Sequence, residues 1–98
     1  MKIMKKEETI SYPLMNEWTV PEIIDVIKFY QAVDQLYERK IERSDFLKKY
    51  QQFLKIVPQK SLQKQLDRRY LAQSGESLYR AVKFVQESQG KYLHYVKR

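Results

Sequence analysis

Ninety-eight residues, 43% of them hydrophobic and 32% charged, fit a single globular domain with a core of its own. The absence of cysteine excludes disulfides, thiolate metal sites and cysteine nucleophiles, and is compatible with a reducing cytosol. The formal charge of +7 is unevenly placed: residues 1–39 carry five Lys/Arg against seven Asp/Glu, and residues 40–98 carry fourteen against five. A basic half of this kind suits an acidic partner, with a solvated lysine-rich surface as the plain alternative.

Residues 1–11 alternate in charge without a usable period, so an irregular start is expected. They contain no apolar run of signal-peptide length, and no stretch of the chain approaches the span of a bilayer. The chain is therefore read as cytoplasmic, with no membrane partner. Tyr12 precedes Pro13 and is held extended. With Leu14, Met15 and Trp18 it is expected to lie across a helical body.

The first helix is expected over 19–39. Thr19 and Glu22 have the spacing of a capping box, Pro21 suits the first turn, and Trp18 with Ile23 suits a hydrophobic staple. Apolar positions from Val20 to Tyr37 cover well over half of its circumference, where a surface helix needs a stripe of about 100°. Neighbours should therefore contact it on two or three sides. Core packing is preferred here to a cofactor groove.

The helix should end near residues 38–41. Ser44 is expected to cap a second helix, with Asp45 in its first turn and Phe46, Tyr50, Phe53, Leu54 and Val57 on one face. Pro58 should end it, and the short connection makes the first two helices antiparallel neighbours. Ser61 is expected to start a third helix with Leu62, Leu66 and Tyr70 inward, stopping at Ser74 and Gly75. A fourth should run from Glu76 or Ser77 to Ser88, burying Leu78, Ala81, Val82 and Val85, with Gly90 closing it. The tail over 91–98 carries Tyr92, Leu93, Tyr95 and Val96, enough to dock. The predicted fold is all-α: a single domain over 1–98, built as a compact bundle of about four helices with an extended N-terminal segment packed across it.

Catalysis lacks parts. His94 is the only histidine and lies in the tail, so a histidine-rich metal site is impossible. No carboxylate pair is read on an apolar face, and two glycines provide no phosphate-cradling loop. No enzyme, metal or cofactor is expected. The basic residues say more. Lys60, Lys64 and Arg68 recur every four residues on the third helix, opposite Leu62, Leu66 and Tyr70. Arg69, Arg80 and Lys83 extend the patch. Like charges at this spacing repel by a few tenths of a kcal/mol per pair, which a solvated face tolerates and a phosphate- or carboxylate-bearing partner would offset. Tyr70, Tyr79, Tyr92 and Tyr95 are candidate stacking surfaces for single-stranded nucleic acid. A helix-turn-helix over 45–73 would aim Gln63, Lys64 and Arg68 at DNA, although its turn has proline and no glycine.

Tyr12-Pro13, Trp18, LYE at 36–38, IVPQKSLQKQLDRRY at 56–70, SG at 74–75, Tyr79 and VK at 82–83 form an ordered set. With it the chain resembles the YktA-like family of small uncharacterised proteins from Bacillus and related low-GC Gram-positive bacteria. The resemblance implies an all-helical cytosolic protein and no assigned activity. It also implies relatives richer in glutamate around Gln63 and Arg69, so the strong positive charge departs from the family pattern. The sequence thus favours a non-enzymatic protein-interaction or regulatory module whose partner has an acidic surface. Its candidate contacts are Lys60, Lys64, Arg68, Arg80 and Lys83, and nucleic-acid binding by the same face is the alternative. Oligomeric state is left open.

Overall fold

Thr19 opens the central helix as read. In the computed structural model, which describes residues 12–96, the Glu22 amide donates to Thr19 Oγ1 at 3.4 Å and the Thr19 amide donates to Glu22 Oε1 at 2.8 Å. Helix α1 then runs Val20–Glu38 and buries Val26, Phe29, Tyr30, Ala32, Val33 and Leu36. The irregular start expected over 1–11 lies outside the described residues. Residues 12–15 are non-helical and lie on α1: the Tyr30 hydroxyl donates to the Pro13 carbonyl at 2.9 Å, and Pro13 is fully buried. Trp18 is buried too.

Helix α2, Arg43–Ile56, packs most extensively on α1. Phe29 stacks on Phe53 with ring centroids 4.5 Å apart, and Phe46 and Tyr50 close around the same ring. Residues 29 and 53 lie equally far from residue 41, within the link, so the two helices run antiparallel. Val57 caps α2 and Pro58 follows. Helix α3, Lys60–Ser74, buries Leu66 and Tyr70 and ends at Gly75, whose φ of 78° is the left-handed conformation that glycine adopts without a Cβ clash. Helix α4, Leu78–Glu87, buries the four predicted residues beneath the N-cap Ser77.

The all-α reading holds, with one addition. The tail docks as a short strand: β1, Ile41–Glu42, pairs antiparallel with β2, Tyr92–Leu93, placing buried Ile41 opposite buried Leu93. The Tyr95 amide then donates to the Leu36 carbonyl at 2.9 Å, and the Tyr95 ring stacks on Phe84.

Several expectations need correction. Ser44 does not cap α2; Glu42 occupies that position without a side-chain bond, because β1 delivers it extended and the Arg43 amide donates to the Lys91 carbonyl instead. Helix α3 starts at Lys60, one residue before Ser61, with Gln59 at its N-cap. Gly90 does not close α4; Ser88 does, with its amide donating to the Val85 carbonyl. Finally, the apolar arc of α1 is not covered throughout. Val20 and Ile24 are 69% and 48% exposed, because burial begins in earnest only at Val26.

Candidate functional site: a cation-rimmed cleft

The four-residue steps on α3 place Lys60, Lys64 and Arg68 along one edge of a cleft of about 810 Å³. The second wall is α4, whose Tyr79, Lys83 and Glu87 recur at the same interval. Between the walls lie Phe29 of α1, Phe53 of α2 and Leu78 and Val82 of α4, all buried, so the floor is apolar. All four lining cations are exposed. Among the described residues none of them pairs with a carboxylate; the ion pair found there, Lys49 with Asp45, lies on α2.

Two polar pins hold the walls. The Gln63 amide group donates to the Val57 carbonyl at 2.8 Å, tying α3 to the end of α2. Asp67 accepts from the Leu78 amide at 2.7 Å and from the Ser77 hydroxyl at 3.3 Å, placing a carboxylate at the positive N-terminus of α4. Of the two carboxylates in the lining, Asp67 is thereby committed, which leaves Glu87 against four cations. The cleft keeps an excess of positive charge above an apolar surface.

Of the five candidate contacts, the structure brings together Lys60, Lys64, Arg68 and Lys83. Arg80 is exposed but does not line the cleft. Of the three residues that the helix-turn-helix reading aims at DNA, the Gln63 side chain is bonded to the Val57 carbonyl, while Lys64 and Arg68 stand exposed. The proposed tyrosine platform does not form either. Tyr70 is fully buried and Tyr95 is half-buried against Phe84, while Tyr79 and Tyr92 stand exposed on different elements. His94 is exposed, with its Nε2 3.1 Å from the Tyr37 carbonyl oxygen. Among the described residues no group of three or more His, Cys, Asp or Glu is placed to hold a metal, and no helix is long and apolar enough to cross a membrane.

A second cluster escaped the sequence reading. Asp34 accepts from the Tyr12 hydroxyl at 2.7 Å on one oxygen and from the Tyr70 hydroxyl on the other. Tyr70 also donates to the Tyr30 carbonyl at 3.2 Å. Burial, then the bond to Asp34 and its charge, push the Tyr12 and Tyr70 hydroxyls above the usual tyrosine range. One carboxylate thus joins the N-terminal segment, α1 and α3. The signal was present: at about 100° per residue, position 34 falls between Ile23 and Ile27, inside the apolar arc of α1.

The fold and the cleft together define a small helical protein that presents an open, positively charged recess. Residues 9–94 match the model of the uncharacterised protein family UPF0223, and the chain belongs to that family. It is 40% identical over 87 residues to a UPF0223 protein of Lactococcus lactis subsp. cremoris, covering 89% of this chain and 94% of the relative. A Lactiplantibacillus plantarum member is 39% identical over 95 residues, covering 97% and 98%. A Bacillus mycoides member is 37% identical over 76 residues, covering 78% and 85%. These hosts are low-GC Gram-positive bacteria, as the residue pattern implied.

Proposed function

We propose that this chain is a non-enzymatic interaction module of the cytoplasm, which seats an acidic surface of another protein in the cleft between α2, α3 and α4. The observation that carries the reading is the set of four exposed cations, none of them ion-paired among the described residues and opposed in the lining by Glu87, around an apolar floor. Charge supplies encounter and orientation, while the apolar contact supplies the part of the affinity that salt does not screen. The narrower YktA-like placement within the family belongs to this proposal and rests on the ordered residues from Tyr12 to Lys83. Nucleic-acid binding would use the same cations, with Tyr79 as the exposed ring of the lining on which a base could stack.

The test is a photo-crosslinking side chain placed at Tyr79, at the cleft, and at Gln31, an exposed α1 position outside it. The expected result is a nuclease-resistant protein adduct from position 79 that is absent from position 31 and lost in Lys64→Glu/Arg68→Glu. A nuclease-sensitive adduct would put nucleic acid in the cleft instead. No adduct at 79 would refute the module.

A further inference from the structure

Resting on that reading, we infer that the occupant of the cleft is one amphipathic helix of a partner protein, with carboxylates at i, i+4 and i+8 beside an apolar edge. Three features of the recess point to it. Lys60, Lys64 and Arg68 form a row rather than a cluster: steps of four residues at about 1.5 Å each spread the row over about 12 Å. A compact anion engages only part of such a row, whereas carboxylates repeating every four residues on a second helix meet each cation in turn. The accessible rings of the lining, exposed Tyr79 and half-buried Tyr50, sit over the buried Phe29, Phe53, Leu78 and Val82 and offer the apolar edge of such a helix its contact. On the opposite wall Lys83 is followed one turn later by Glu87, so that wall is close to neutral and the acidic face of the helix is directed to the α3 row. Seating it also relieves the repulsion among the α3 cations.

Occupants from within the chain fit less well. Residues 1–11 carry three lysines against two glutamates and do not complement a cationic recess. In a second copy, the exposed apolar residues of α1, Val20 and Ile24, span little more than one turn, too short to lie along the row. Single-stranded nucleic acid would bring a row of charges, but its bases need open ring faces. Phe29 and Phe53 are covered, which leaves Tyr79 as the exposed ring of the cleft.

The experiment titrates the full chain against two labelled synthetic peptides of about four turns. One has Glu at i, i+4 and i+8 with Leu along the adjoining edge. The other has the same composition with the Glu positions moved onto the Leu face. Polyglutamate of equal charge and a single-stranded oligonucleotide are added as competitors. The in-register peptide should bind at least about tenfold more tightly than the shuffled one and become helical on binding. It should weaken by about tenfold or more in Lys64→Glu/Arg68→Glu, and several-fold in Tyr79→Ala, which removes apolar contact without changing charge. Both variants alter exposed side chains, and unchanged circular dichroism of the free proteins confirms their fold. Equal binding of the shuffled peptide, or displacement by polyglutamate at equal charge, overturns the helix; so does preferential displacement by the oligonucleotide. A protein crosslinked at position 79, together with no preference for the in-register peptide, sinks the helical occupant and leaves the interaction module standing.

Discussion

Tyr70 illustrates how much a single hydroxyl does in this core. Its ring is fully buried against Tyr30 and Tyr12, and its hydroxyl serves both the Asp34 carboxylate and the Tyr30 carbonyl. Tyr70→Phe keeps the ring and removes both bonds, leaving Asp34 with Tyr12 as its remaining tyrosine donor. A loss of about 1–3 kcal/mol is expected, because a charge-assisted bond to a partly buried carboxylate is worth more than a neutral one. Urea unfolding should show a lower midpoint at an unchanged m-value. Tyr12→Phe should cost less, since Tyr12 is only half-buried and water can replace its hydroxyl. A larger effect at Tyr12 than at Tyr70 would mean that the N-terminal segment, rather than α3, is what Asp34 mainly secures.

At the scale of elements, the joint between α3 and α4 is made from opposite ends of two helices. Gly75 supplies the left-handed turn, and Asp67, eleven residues before Leu78, returns to cap α4 alongside Ser77. Asp67→Ala removes the acceptor of the Leu78 amide and the charge at the helix N-terminus, for an expected cost of about 1–2 kcal/mol. The loss should be local: amide exchange at Leu78 should quicken more than at Val26 or Phe29 in the centre of α1. Because this joint sets one wall of the cleft against the other, its loosening should also weaken peptide binding although a negative charge has been removed from the recess. Tighter binding in Asp67→Ala would show that the charge of Asp67, not its capping bond, is what the cleft registers.

At the scale of the molecule, the tyrosines dominate the response to alkali. Burial raises the hydroxyls of Tyr12, Tyr30, Tyr37, Tyr50 and Tyr70 above their ordinary value near 10, and Asp34 adds to the shift at Tyr12 and Tyr70. Above about pH 10 the unfolded chain releases these protons while the folded chain retains them. Their contribution to stability is therefore complete below that pH and is lost as pH rises beyond it. The urea midpoint should fall steeply above about pH 10, with the tyrosinate absorbance of these five rings, taken as the loss from wild type in their single Phe variants, appearing together with unfolding rather than before it. Ionisation of these five at the ordinary pH in a chain that stays folded would mean that their hydroxyls are open to water.

The sequence by itself determined the four helices, because local signals write them: a capping box at Thr19, proline after α2, glycine after α3, and apolar residues at the helical interval throughout. It also determined which cations share a face of α3, since the helical repeat alone sets that. Residue composition further shows one basic half, and the ordered residue pattern points to the family. It could not show that Arg80 stays out of the cleft that Lys83 lines, because that depends on how α4 is rotated against α1 and α3. Nor could it show the two-residue pairing of Ile41–Glu42 with Tyr92–Leu93, where contact between segments fifty residues apart supplies the strand that local preference does not. Only tertiary packing brought an apolar floor from three helices beneath the cation row, because a recess is a relation between surfaces that lie far apart along the chain.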